Sequence, residues 1–316
     1  GAADAAGIVN ASGNWFGTAV EAEVAALVSA NVDYTPWLNN GDDTSADPGF
    51  QGDFSFLNVS ADSPQTGSVG RIQEAIDMVD GSTVYLNAGE YTENVVVNKS
   101  VTLAGAGKAS TLVVSTGATP VFTVSSNDVV IENLGVTNPT QLVEGVRVSG
   151  AAANLTVENV AFTNLGNGAG NAYGIQVMND FSGLTVKDSY FGATNLGTAS
   201  RAIGIFAPNG SVLGDFEVSG SIFEYLFTGV YLRSEIVGQH QLGRQGEVRQ
   251  GYFSGVPRVV QLDPRIGQPL RLIEQVQDQH EQRAVEEMDM QVAEFRTLQQ
   301  HALKITEIGR ASCRER

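Results

Sequence analysis

A tetrapeptide recurs four times between residues 120 and 236, and it limits the fold more than any other feature. It begins with glycine, and its second and fourth residues are aliphatic, whereas the third residue varies. The copies are Gly145-Val146-Arg147-Val148, Gly174-Ile175-Gln176-Val177, Gly204-Ile205-Phe206-Ala207 and Gly229-Val230-Tyr231-Leu232. Their glycines are 29, 30 and 25 residues apart. Such short alternating segments favour strands over helices. One unit of this length cannot bury its apolar side chains alone, so the repeat predicts coils that stack on one another.

A second strand series with the same period lies between these tetrapeptides. Its members are Val130-Ile131-Glu132-Asn133, Thr156-Val157-Glu158-Asn159, Thr185-Val186-Lys187-Asp188 and Glu217-Val218-Ser219-Gly220, followed within four residues by Leu134, Phe162, Phe191 and Phe223. Each member ends in Asn, Asp or Gly, the residue types that tolerate a left-handed backbone. We therefore expect a bend at this position and, where asparagines stack, an amide ladder.

The start of the stack carries a helical pattern. Ile72, Ala75, Ile76 and Val79 share one face of a helix over residues 71–79. Such a helix would cover the open end of the first coil and its unpaired strand edge.

The residues after this helix resemble the opening of pectin-lyase-like β-helix proteins. The resemblance lies in Gly81-Ser82-Thr83-Val84-Tyr85-Leu86-Asn87-Ala88-Gly89-Glu90-Tyr91 and in Val95-Val96-Val97-Asn98-Lys99-Ser100-Val101-Thr102-Leu103-Ala104-Gly105. It covers about residues 68–236 and implies an all-β fold, a right-handed parallel β-helix with an N-terminal capping helix, for a module spanning residues 54–236. That fold carries lyases, hydrolases, esterases, adhesins and inert surface repeats, so it implies no single activity.

Residues 1–38 resemble the closing end of another bacterial β-helix module, through Asn14-Trp15-Phe16-Gly17 and Val32-Asp33-Tyr34-Thr35-Pro36-Trp37-Leu38. This implies tandem modules joined by an acidic polar linker at residues 39–53, within a longer parent protein. Trp15 and Trp37 could form an aromatic platform for sugar rings, although aromatic residues that plug the last coil are the commoner case. Asp42, Asp43 and Asp47 could hold Ca²⁺, but their spacing matches no EF-hand loop and favours a solvated linker.

The acidic excess of the chain lies entirely before residue 237. Residues 1–236 contain 7 Lys and Arg against 24 Asp and Glu, whereas residues 237–316 contain 11 of each. An acidic surface repels phosphate backbones, which excludes nucleic-acid binding for residues 1–236. No apolar run is long enough to span a membrane, and the first residues lack a signal peptide, so we expect any export signal to lie upstream of this fragment.

The carboxy-terminal part differs from the rest in charge, glycine content and period. Residues 237–306 suit an amphipathic helical segment that is unrelated to the β-helix, or that a chimeric join has added. Residues 307–316 resemble a translated sequencing adapter, an artefact. The three histidines, His240, His280 and His301, and the one cysteine, Cys313, all lie in this part. We assign them no catalytic role, and a single cysteine forms no disulfide within the chain.

Candidate catalytic residues are sparse in the predicted β-helix. A hydrolase of this fold is expected to cluster aspartates near a histidine, and residues 68–236 contain no histidine. The resemblance to pectate lyases implies a basic residue as proton acceptor and aspartates as Ca²⁺ ligands. The candidates are Arg147, Lys187 and Arg201 for the base, and Asp180, Asp188 and Asp215 for the metal.

Arg147 and Gln176 occupy equivalent outward positions in adjacent repeats, and Phe206 and Tyr231 continue that column. A column that is polar at one end and aromatic at the other could line a shallow saccharide groove, or it could be an ordinary exposed sheet face.

The sequence favours a non-enzymatic, extracellular β-helix module of a large bacterial surface or secreted protein, used for adhesion or contact with a polysaccharide or cell-surface glycan. Its other expected partners are tandem β-helix modules of the same chain. No cofactor is expected, with Ca²⁺ as the one ion left open. The alternatives are a polysaccharide lyase or glycoside hydrolase, and a structural spacer without a ligand.

Overall fold

The computed structural model describes residues 7–117, 120–150, 152–166, 170–193, 201–208 and 211–232, together with the backbone of residues 235–242 and 248–249. Two short helices lie among these residues, α1 (Glu21–Leu27) and α2 (Arg71–Met78). The strands are β1 (Val9–Asn10), β2 (Val32–Asp33), β3 (Trp37–Leu38), β4 (Phe56–Val59), β5 (Thr83–Leu86), β6 (Gly89–Thr92), β7 (Val95–Val97), β8 (Thr102–Gly105), β9 (Thr111–Val114), β10 (Phe122–Val124), β11 (Val129–Glu132), β12 (Gly135–Thr137), β13 (Glu144–Val148), β14 (Ala153–Glu158), β15 (Ala161–Phe162), β16 (Asn171–Val177), β17 (Phe181–Lys187), β18 (Tyr190–Gly192), β19 (Arg201–Ala207), β20 (Val212–Ser219), β21 (Ile222–Glu224), β22 (Thr228–Leu232), β23 (Glu235–Leu242) and β24 (Val248–Arg249).

The strands form a parallel β-solenoid, which confirms the stacking that the repeat predicts. From β5 onward, each of the three large sheets collects every third strand, and β4 and β3 extend one of them. The orders are β22-β19-β16-β13-β10-β7, β23-β20-β17-β14-β11-β8-β5-β4-β3, and β24-β21-β18-β15-β12-β9-β6. A further two-stranded parallel sheet pairs β1 with β2. Among the strand pairs that the structure describes, β3 with β4 is antiparallel and the others are parallel. The right-handed sense expected for such coils stays a prediction.

A stack of phenylalanines explains the glycine of the repeated tetrapeptide. Phe162, Phe191 and Phe223 are buried, with neighbouring ring centroids 4.7 and 4.8 Å apart and nearly parallel ring planes. A Cβ atom on Gly174 would lie 2.5 Å from Cδ1 of Phe191 and 2.7 Å from the carbonyl oxygen of Gly204. Glycine is needed there because only a residue without a side chain fits between the next coil and the ring.

The bend at the end of the second strand series is confirmed. Asn133, Asn159, Asp188 and Gly220 have φ angles of 56°, 51°, 48° and 59°. The amide Nδ2 of Asn159 donates to Oδ1 of Asn133 at 2.8 Å, which confirms the predicted ladder for these two coils. A second ladder, which the sequence did not indicate, joins Nδ2 of Asn154 to Oδ1 of Asp128 at 2.8 Å, again with positive φ at both residues.

The predicted helix is present as α2, and it packs against β4, β5 and β7. Its inner face buries Ile72, Ala75 and Ile76 in the core. Glu93, from the corner between β6 and β7, accepts hydrogen bonds from the backbone N–H groups of Ile72 and Gln73 at 3.0 and 3.2 Å. The carboxylate of Glu93 thus caps the first turn of α2, whose own N-cap residue, Gly70, has no side chain to accept these hydrogen bonds. Burial raises the pKa of Glu93, and the two N–H donors oppose that rise. The role of α2 as a cap on the solenoid stays a prediction.

The N-terminal motif is organised around a buried aspartate. Oδ2 of Asp33 accepts from the backbone N–H and the hydroxyl of Thr66 at 2.7 and 2.8 Å, and Oδ1 accepts from the hydroxyl of Ser63 at 3.2 Å. These bonds tie β2 to the loop that precedes α2, and β3 adds to the edge of the nine-stranded sheet. The assignment of residues 1–38 to the end of a preceding module stays a prediction.

The parallel pairing includes residues beyond Ile236. β23 pairs with β20 from Glu235 to Leu242, and β24 pairs with β21. Residues 237–242 and 248–249 are therefore strands, whereas the division between the β-helix module and the segment after it stays a prediction. The other predictions for residues 237–306 and 307–316 concern positions outside the described residues, as do His280, His301 and Cys313.

Candidate functional site

The predicted column is formed by one outward position on each of four strands in the six-stranded sheet. Cα pairing places Arg147 of β13 beside Gln176 of β16, Gln176 beside Phe206 of β19, and Phe206 beside Tyr231 of β22. All four side chains are partly exposed. We call these four residues the outer column.

Alternation within each tetrapeptide aims the outer column at solvent. The flanking residues point inward and are buried, as Val146 and Val148 are on either side of Arg147. The core therefore fixes the register of each strand, since a shift of one residue would exchange the inner and outer faces. The column is held on a rigid surface rather than on a loop.

Three aromatic rings stack along this face. The centroids of Tyr173 and Phe206 are 4.9 Å apart with an interplanar angle of 21°, and those of Phe206 and Tyr231 are 5.7 Å apart. Sequence reasoning missed Tyr173, because Cα pairing sets it beside Ile203 and its ring reaches Phe206 diagonally. The three residues are partly exposed, and the hydroxyl of Tyr173 accepts a hydrogen bond from Nδ2 of Asn171 at 3.1 Å.

The polar end of the outer column is an ion pair. The guanidinium of Arg147 binds both carboxylate oxygens of Glu144, with Nε 2.8 Å from Oε1. Glu144 is only 3% exposed, so its charge requires this partner. The sequence analysis did not identify Glu144 as part of the site. Its position three residues before Arg147 could have indicated an ion pair. Arg147 is thus a hydrogen-bond donor held in an ion pair with Glu144.

The other two basic candidates lie apart from Arg147. Lys187 is on β17 in the nine-stranded sheet, with Nζ 3.7 Å from a carboxylate oxygen of Glu217. Arg201 begins β19, with its guanidinium carbon 5.4 Å from the ring centroid of Phe227. The structure does not bring the three candidates together into one site.

The acidic candidates are likewise dispersed. Asp180 accepts from the backbone N–H of Val212 at 2.7 Å, and Asp188 belongs to the left-handed bend. In the linker, Asp43 accepts from the backbone N–H of Gln51 at 3.2 Å. Across the described ranges, no three His, Cys, Asp or Glu side chains form a group that could hold a metal ion. The sets Asp180, Asp188, Asp215 and Asp42, Asp43, Asp47 are therefore not assembled as ligand groups.

The proposed tryptophan platform needs correction at Trp37. This side chain is 0% exposed and packs with Tyr34 and Val24, so neither ring face is open to a sugar. Trp15 is partly buried against the main core and lies beside Gly41. The two rings belong to different clusters, because Trp37 packs among N-terminal residues whereas Trp15 packs against the main core.

Comparison with known proteins gives limited matches. No protein-family model matches the chain. A stretch of 93 residues, 28% of the chain, is 36% identical to a cell surface glycoprotein of Methanothermus fervidus and spans only 16% of that protein.

Two solved structures share 14% and 16% sequence identity with the chain. One is ORF18 of Geobacillus virus E2, with a TM-score of 0.25, covering 54% of this chain and 57% of that chain. The other is the catalytic domain of a GH87 alpha-1,3-glucanase in complex with tetrasaccharides, with a TM-score of 0.26, covering 71% and 51%. Likeness at these TM-scores does not bear on the function of the chain. Among the described residues, no helix is long and apolar enough to cross a membrane.

Proposed function

We propose that this chain is a non-enzymatic, extracellular β-solenoid module of a surface protein, and that its outer column contacts glycans. The matched stretch in a relative named as a cell surface glycoprotein supports the location. The proposal includes the right-handed, pectin-lyase-like coil implied by the opening motif. It rests mainly on one observation, the in-register outer column on the six-stranded sheet.

The chemistry of the outer column suits a sugar chain. Sugars present C–H groups on one side of the ring and hydroxyls around it, so a binding face needs apolar edges next to hydrogen-bond donors and acceptors. Tyr173, Phe206 and Tyr231 supply apolar edges, while Gln176 and Arg147 supply donors and an amide acceptor. Because the sheet holds these groups in place, little side-chain entropy is lost on binding.

The charge of the face favours neutral glycans over polyuronates. Glu144 neutralises Arg147, so the outer column offers no uncompensated positive charge to a uronate carboxylate. The whole chain carries a net charge of −17, which repels acidic polymers. We therefore expect retention on neutral polysaccharides and weaker retention on uronate-containing ones.

Affinity electrophoresis or retention on immobilised polysaccharides tests this with the full chain, with and without Ca²⁺. The variants Phe206→Ala and Tyr231→Ala should each weaken binding to a neutral glycan by roughly tenfold. The matched control is Tyr190→Ala, a partly exposed tyrosine on β18 of a different sheet, whose hydroxyl contacts Glu224 at 3.2 Å. Equal weakening by the control would argue against the outer column.

The same incubations separate the proposal from its alternatives. New reducing or unsaturated ends in the polysaccharide would overturn the non-enzymatic assignment. Absence of retention on every glycan would leave a structural spacer as the better account.

A further inference from the structure

The chain carries several Asn-X-Ser/Thr sequences, the acceptor pattern for N-linked glycosylation. Four begin at described residues, Asn10-Ala11-Ser12, Asn58-Val59-Ser60, Asn98-Lys99-Ser100 and Asn154-Leu155-Thr156. A fifth begins at Asn209, outside the described residues. The pattern alone does not make a site, because the transferase must reach the side-chain amide and turn it toward the sugar donor.

Three of the four amides are already engaged. Asn58 is 3% exposed, on β4 in the nine-stranded sheet. Nδ2 of Asn154 donates to Oδ1 of Asp128 in the second ladder. Nδ2 of Asn10 donates to the hydroxyl of Thr66 at 2.9 Å. Modification at any of these residues would first have to break a hydrogen bond or open the local structure.

Asn98 differs from all three. It follows β7 at an exposed corner of the coil, and within the described part of the chain its side chain makes no hydrogen bond. Its neighbours hold the corner in place: Nζ of Lys99 donates to the carbonyl of Val79 at 2.9 Å, and the hydroxyl of Ser100 donates to the carbonyl of Asp128 at 3.1 Å. The amide of Asn98 is therefore exposed and makes no hydrogen bond among the described residues, whereas the hydroxyl of Ser100 has to exchange its bond to Asp128 for one to the transferase.

We propose that Asn98 is an N-glycan acceptor of the folded protein. In this reaction Nδ2 of Asn98 forms a bond to the anomeric carbon of a saccharide carried on a polyprenyl diphosphate. The bond from that carbon to the diphosphate oxygen breaks, the polyprenyl diphosphate leaves with the electron pair, and the amide loses one proton. The inference goes beyond glycan contact by the outer column, because here the chain carries a sugar covalently.

The position gives the modification a local consequence. Asn98 lies two residues after Val96, which is 46% exposed. Val96 pairs with Thr123 of the next coil, and Thr123 pairs with Arg147 of the outer column. A glycan at this corner would cover that apolar side chain and lie at the first coil of the six-stranded sheet, away from the aromatic end of the outer column.

The test uses the purified folded chain, a purified oligosaccharyltransferase that accepts the simple Asn-X-Ser/Thr pattern, and a polyprenyl-diphosphate saccharide. Peptide mass spectrometry measures the rate at each asparagine. In the folded chain Asn98 should be modified faster than Asn10, Asn58 and Asn154 by roughly tenfold or more, since the others need local opening. Four short synthetic peptides, one for each sequence, provide the unfolded reference, in which this preference should largely disappear.

Variants of the same turn complete the test. Asn98→Gln and Ser100→Ala should abolish modification at this position, whereas Ser100→Thr keeps the acceptor hydroxyl and should retain it. Circular dichroism checks that each variant is folded. The proposal is overturned if the folded chain is modified at another of the described sites in preference to Asn98. It is also overturned if Asn98 is unmodified in the folded chain, whether or not its peptide is modified.

Discussion

Replacing Phe191, the middle ring of the phenylalanine stack, should destabilise its part of the solenoid more than any other single truncation in that stack. A fully buried Phe→Ala change costs about 3–5 kcal/mol. Phe191 contacts rings on both of its faces, whereas Phe162 contacts one. Each stacked pair contributes about 0.5–1.5 kcal/mol beyond the area that it buries. We therefore expect about 4–5 kcal/mol for Phe191→Ala, and about 1 kcal/mol less for Phe162→Ala.

Native-state hydrogen exchange is the suitable assay, because coils of a solenoid contact mainly their neighbours and lose stability locally. The reporter is the amide of Tyr190, which donates to the carbonyl of Val160 at 2.8 Å across two coils. Its protection should fall by about a thousandfold in Phe191→Ala. The amide of Asn87, which bonds to Val59 in the first coil, should keep its protection.

Two results would refute this reasoning. Equal losses in the Phe191→Ala and Phe162→Ala variants would show that the second ring contact adds nothing. A loss below about 2 kcal/mol in Phe191→Ala would mean that the core collapses around the gap and that the stack does not hold the coils in register.

Three further changes probe other features. Gly174→Ala should cost about 1–3 kcal/mol in a denaturation experiment, because the new methyl meets the ring of Phe191; an unchanged midpoint would contradict the close packing. Asn159→Ala should be less stable than Asn159→Gly by about 1 kcal/mol, since both lose the bond to Asn133 but only alanine resists the positive φ; the same assay compares them. The raised pKa of Glu93 means that the folded state keeps its proton to higher pH than the unfolded state does. The stabilisation that this retained proton gives the folded state is present below the ordinary pKa of 4.5 and is lost as pH rises through the raised pKa. In the Glu93→Gln variant, the free energy of unfolding should therefore depend less on pH over this interval. An equally steep pH dependence in the variant would contradict this assignment.

The coil architecture was predictable because the periodic residues report inward packing directly. Phe162, Phe191 and Phe223 recur where each coil needs a large apolar side chain, and Asn133 and Asn159 recur where the backbone needs a positive φ. Each requirement selects a residue type at a fixed position of the coil. Because the chain contains several coils, the same residue types recur at that position several times in one sequence.

The contacts of the candidate site were less predictable, because they depend on side chains that meet once. The pairing of Arg147 with Glu144 and the diagonal stacking of Tyr173 on Phe206 do not repeat from coil to coil. Burial of Trp37 depends on β3 reversing against β4, and no periodic pattern indicates that turn.

The repeat also determines how this molecule would respond to mechanical force. Hydrogen bonds between parallel strands run from one coil to the next, so tension applied along the stack loads the bonds of one coil at a time. A released coil of 29 residues, the length between Gly145 and Gly174, can extend to roughly 100 Å. We expect the chain to lengthen in steps of about this size under load, as an extensible tether whose step length is fixed by the repeat period.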